Sequence, residues 1–135
     1  MVAASSPAGP QGRAGTPFAQ PLRAVLAAVE GALGIAVVAE DGIIVHQERS
    51  PGGPDLAPIV AHMTDIYRRS AAAASECGLG RTMETIQKTS SHSLLLLSVA
   101  EGYAILLVLD RDAFVGRGRW ELRKAAESVR DELTA

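Results

Sequence analysis

Cysteine is nearly absent from this chain. Cys77 is the only one among 135 residues, which excludes an internal disulfide and a thiolate metal cage. Aromatic residues make up only 4%, so aliphatic side chains must fill the core. Neither sign of charge dominates. A net charge of −2 gives no general attraction to nucleic acid or to an acidic membrane surface. The chain lacks G-x-x-x-x-G-K-[ST], so it does not read as a P-loop NTPase. It also lacks H-x-x-x-H, C-x-x-C and the G-x-S-x-G elbow, and His46, His62 and His92 lie far apart. No metal, cofactor or catalytic residue is expected. A basic segment followed by an apolar one is missing from the N-terminus, and with the single cysteine this points to a cytoplasmic protein.

Long unbroken apolar runs are missing too. The most apolar stretch, Ser93–Asp110, is cut by Glu101-Gly102. A membrane-spanning helix needs about 20 uninterrupted apolar residues, and a mid-bilayer glutamate costs several kcal/mol. Ser93–Val99 and Tyr103–Asp110 therefore read as two central antiparallel strands joined by a hairpin, both faces covered. No membrane insertion is expected.

What remains is ordinary for one globular domain, with 47% apolar and 21% charged residues. Residues 1–17 are mostly Ala, Ser, Gly and Pro, with no large aliphatic after Val2 that could offset the entropy of ordering, so a disordered tail is expected there and a domain over 18–135. Pro21–Leu33 carries Leu22, Val25, Leu26, Val29 and Leu33 on one helical stripe, with Gly34 placed to close it. Ile35–Glu40 and Ile43–Gln47 are strand-like runs around Asp41-Gly42, a strong hairpin signal. Arg49–Asp55 is a Pro/Gly loop. Asp55–Cys77 is the longest helix, N-capped by Asp55 and ended by Gly78. Ala71 to Ala74 give it a small-residue end suited to close packing.

Arg81–Lys88 alternates poorly and has mixed polarity, as an edge strand or one pairing with another chain does. The stretch 111–118 reads as a loop with Phe114 and Val115 tethered to the core, and Arg119–Leu133 as the last helix. Arg117, Arg119, Arg123 and Lys124 cluster beside Trp120. Glu121 and Glu127 interrupt them, so the cluster reads as a solvated helix face rather than an anion site. Asp110 and Asp112 are expected to end a strand and interact with Arg111. The order αββαβββα with short strand connections gives an α+β fold, a five-stranded antiparallel sheet covered by helices.

That order, with Leu22–Gln47 and the meander Arg81–Leu109, resembles the roadblock/dynein light-chain family, particularly its small prokaryotic, MglB-like members. Gly34 and Asp41-Gly42 stand at the family's opening hairpin, and Ala39 stands where a valine is usual. The resemblance implies a roadblock/profilin-like fold and a homodimer formed through the long helix and the third strand. The expected interface residues are Ile59, Met63, Ile66, Ala71, Ala74, Arg81, Thr82, Met83, Glu84, Thr85 and Ile86. It also implies work on a small Ras-like GTPase, as a GTPase-activating protein or co-regulator, with chemistry on the GTPase's own nucleotide. Arg49, Arg68, Arg69 and Arg81 are the arginines near the long helix and loops. The rival expectation is a non-catalytic scaffold that tethers partners through its sheet or long-helix face. A profilin-like ligand-sensing module ranks last, because a filled core is expected.

Overall fold

A computed structural model describes residues 17–134. Apart from Pro17, the expected tail lies outside the described residues. Three helices and five strands follow the expected order: α1 (Ala19–Ala28), β1 (Ala32–Ala39), β2 (Ile44–Arg49), α2 (Leu56–Glu76), β3 (Glu84–Lys88), β4 (His92–Ala100), β5 (Tyr103–Asp110) and α3 (Val115–Thr134). The strands form one sheet in the order β2-β1-β5-β4-β3, with every pairing antiparallel.

The two strands of the most apolar stretch are inner strands; β5 is buried on both faces, whereas β4, expected to be covered on both, is only half-buried on its α2 side at Leu94 and Ser98. Leu95, Ile105, Leu107 and Leu109 point to the α1/α3 side, and Leu96, Ala104, Leu106 and Val108 to the α2 side. A strand covered on both sides gains by being apolar at every position, so its sequence loses the usual alternation. Gly102, at φ +84, makes the turn between them, with Glu101 in solvent.

Three boundaries differ from expectation. Helix α1 stops at Ala28, and Leu33 belongs to β1. Gly31, at φ +90, turns the chain, and Ala32 already pairs with Leu109. Gly34 is a strand residue pressed by α2, since a Cβ there would lie 2.9 Å from Leu56 Cδ2. Strand β3 begins at Glu84 rather than Arg81. Of the three residues before it, Met83 makes one such link, its carbonyl accepting from the Ser98 N–H at 2.9 Å. Helix α3 starts a turn early at Val115, so the expected loop is partly helix. Val115 does pack on the core, but Phe114 is 81% exposed. Asp110 likewise takes the Asp112 backbone N–H at 2.9 Å rather than Arg111.

Helix α2 forms as its ends dictate. The Asp55 carboxylate accepts from the Ala57 N–H at 3.2 Å, and Gly78, at φ +74, lets its own N–H reach the Ser75 carbonyl at 3.0 Å. Asp55→Ala should lower stability by about 1 kcal/mol, read by urea unfolding, because a helix-end donor loses its acceptor.

Candidate self-association surface

A five-stranded sheet spans roughly 19 Å at about 4.8 Å per strand, and one helix is about 10 Å across. Two helices, α1 and α3, therefore cover one face. The other face has α2 alone. Helix α2 seats Leu56, Val60 and Thr64 against Ala36, Val38 and Leu106 and leaves the β4–β3 half of that face open. Thr64 was not anticipated among these. Its hydroxyl donates to the Val60 carbonyl at 2.7 Å, which makes the polar group tolerable inside.

The open half is apolar. A groove of about 370 Å³ runs between α2 and β4, lined by Pro58, Ile59, His62, Met63, Leu94 and Val108. Ile66 continues the same flank one turn on and is 50% exposed. The groove leads to β3, the edge strand, whose far side has no strand partner among the described residues. Pairing fixes how β3 is oriented. Thr85 stands opposite Leu96 and so faces the α2 side, whereas Glu84 and Ile86, opposite Leu97 and Leu95, face the α3 side.

The eleven expected interface residues thus divide. Ile59, Met63, Ile66 and Thr85 share the open face. Met83 and Ile86 are exposed at the edge. Glu84 is turned to α3, where it receives hydrogen bonds from Arg119 Nε at 3.0 Å and Arg123 Nη2 at 3.1 Å. Ala71, Arg81 and Thr82 line a second hollow, of about 510 Å³, between the later turns of α2 and one end of the sheet. Ala74 is half-buried nearby. The small residues of α2 were expected to permit close packing and a filled core. Here they leave space, spanned by Tyr67, whose hydroxyl donates to the Thr82 carbonyl at 3.0 Å. Burial pushes the Tyr67 phenol up, so it stays protonated at neutral pH.

The four cations of the expected basic cluster share two carboxylates. Arg119 and Arg123 clasp Glu84, while Arg117 and Lys124 flank the buried Glu121 at 3.3 and 3.2 Å. The Arg119 hydrogen bond holds the Glu84 carboxyl below its usual 4.5. Burial opposes this, and Arg123 adds to it. A lowered folded-state value means the pairing contributes stability above 4.5 that is lost as pH falls through the lowered value. Glu84→Gln should cost no more than about 1 kcal/mol at neutral pH, since both arginines are well exposed. Thermal melts of the two proteins should converge in acid.

The remaining candidates are accounted for. Arg68 and Arg69 pair with Asp65, and Arg49 holds the carbonyls of Gly53 and Pro54. His46 is buried with its ring 2.6 Å from Glu48, His62 lines the groove, and Cys77 is exposed. Among the described residues no three potential ligands group together and no helix is long and apolar enough to cross a membrane.

Fold and surface together define a small α+β module with one half-covered sheet face beside an open edge. The chain belongs to the Roadblock/LC7 domain family, whose model matches residues 20–110. It is 26% identical over 101 residues to an uncharacterised protein of Methanocaldococcus jannaschii, covering 75% of this chain and 87% of that protein. The gliding protein MglB of Thermus thermophilus superposes with a TM-score of 0.78 at 18% identity, over 92% of this chain and 96% of that one. MglC of Myxococcus xanthus gives 0.65 at 28% identity, over 87% and 99%.

Proposed function

We propose that the protein is a cytoplasmic homodimer that regulates a small Ras-like GTPase. The observation that carries the dimer is the uncovered half-face: Ile59, Met63 and Ile66 border a space one helix wide, next to an unpaired strand edge. A second copy fills both at once, its α2 lying in the groove and its β3 extending the sheet. The GTPase reading rests on family membership, and the likeness to MglB and MglC supports it.

In this reading the nucleotide and its metal stay on the GTPase, and the dimer holds the mobile loops around them. Single-turnover GTP hydrolysis by a Ras-like GTPase of the same genome, with the protein in excess, tests it. Acceleration is the expected result. Binding without acceleration would replace activation by the scaffold role, and no binding to any such GTPase would remove the reading. Arg49, Arg68 and Arg69 are each held within their own chain, so substituting any one with Gln should slow the accelerated reaction by less than about tenfold. Loss of an arginine finger costs about 10³-fold or more.

A further inference from the structure

Helix α3 has an outward face that neither the core nor the proposed dimer uses. Leu122, Ala125, Ala126 and Val129 pack into the cluster between the sheet and α1. On the opposite side Trp120, the only tryptophan of the chain, is 61% exposed. An indole left in water is a ready contact anchor, because it brings a large apolar surface and one N–H donor.

The charges around it are divided along the helix. Towards the N-terminus, Arg117, Arg119, Arg123 and Lys124 share two carboxylates, Glu84 and Glu121, so positive charge is in excess there. Towards the C-terminus stand Glu127, Asp131 and Glu132, exposed and without an ion-pair partner among the described residues. The cation of that stretch, Arg130, is drawn inward to the Val99 carbonyl at 2.6 Å. Arg117, Trp120, Lys124, Glu127 and Asp131 follow one another at spacings of three and four. They form one stripe, positive in its first half and negative in its second.

We propose that this stripe is a second self-association surface, on which the α3 of another copy lies antiparallel. A parallel neighbour would set like charges together. The reversed one, aligned about Lys124 and Ala125 at the centre of the 20-residue helix, sets Arg117 opposite Glu132, Lys124 opposite Glu127 and Trp120 opposite Asp131. Two-fold symmetry makes each pairing twice. The Trp120 ring covers the exposed Ser128 of the other copy, with the Asp131 carboxylate beside it as an acceptor for the indole N–H. Exposed ion pairs are individually worth little, so the contact is weak, centred on Trp120 and sensitive to salt.

This surface does not depend on the groove beside α2. Where the α2/β3 dimer forms, the two-fold axis joining its β3 edges antiparallel stands perpendicular to the sheet, so both α3 helices look to the same side. Two such dimers then meet through both α3 pairs and close as a tetramer.

The test is sedimentation equilibrium of the full chain from about 10 to 500 μM, with Trp120 emission recorded alongside. At about 0.02 M salt the mass should rise from two chains towards four, and the emission should shift to the blue as the ring leaves water. About 0.5 M salt should reverse both changes. Trp120→Ala should weaken the step about a hundredfold, since two indoles are lost from each contact. Glu127→Lys with Glu132→Lys, at two exposed positions, should abolish it. Both variants should keep the two-chain mass at the low end of the range. In a chain carrying Met63→Lys with Ile66→Lys the same step should run from one chain to two, which separates failure of this proposal from failure of the α2/β3 reading. Absence of that doubling would overturn the proposal, and so would a doubling that survives loss of Trp120 or the charge reversal.

Discussion

Met63→Lys with Ile66→Lys should turn the proposed dimer into a folded monomer. Both side chains stand on the flank of α2 above the open half of the sheet; Ile66 is 50% exposed, and Met63 is half-buried, packed at the margin of the cluster under α2. The folded chain therefore loses only the partial packing of Met63 when they become charged. In the proposed dimer each would be buried against the second copy, at up to about 1.5–3 kcal/mol per side chain. Losing two per chain removes about 3–6 kcal/mol from each half of a symmetric interface, enough to move dissociation by several orders of magnitude. The four added lysines also repel across the two-fold axis. Circular dichroism should show unchanged helix content while sedimentation shows half the mass. A variant that stays dimeric would place the contact elsewhere.

Leu106→Ala and Leu107→Ala should each cost about 2–5 kcal/mol, as buried leucines do when a cavity replaces them. Both are fully buried neighbours in β5, and they point to opposite faces. Their stability losses should be similar and their effects on self-association different. Leu106 packs in the cluster that seats α2, so its loss lets α2 shift and weakens the dimer. Leu107 packs under α1 and α3, away from that face, and its removal should leave dimer affinity near that of the parent chain. Denaturant titration gives the first quantity and concentration-dependent sedimentation the second.

Much of the fold was legible because local signals agreed with tertiary ones. Asp41-Gly42 turned where its chemistry requires, and Gly42 has φ +91. Asp55 capped α2, and two-sided burial wrote β5 as a continuous apolar run. The misplaced boundary at Leu33 shows the limit of a pattern. Its spacing suits the α1 stripe, but pairing with β5 draws the chain into a strand at Ala32, three residues before the expected Ile35, and Gly31 rather than Gly34 takes the positive φ.

The surface was legible in part. Spacing of three and four identified the apolar residues of α2 without dividing them into those seated on the sheet (Leu56, Val60) and those left on its flank (Ile59, Met63, Ile66). That division depends on how much of the sheet one helix can cover. The clasp of Glu84 by Arg119 links residues 35 positions apart, and no local pattern announces it. The alanines late in α2 said only that the side chains are small. Whether a neighbour closes on them is decided by Tyr67 and the turns, so the hollow could not be read in advance.

In the proposed dimer a second copy completes the half-covered face. Sedimentation velocity of the full chain at micromolar concentration tests it most directly. The expected result is a species of twice the 14.1 kDa chain mass, reduced to a single chain by Met63→Lys with Ile66→Lys. A monomer of the unaltered protein at that concentration would contradict it.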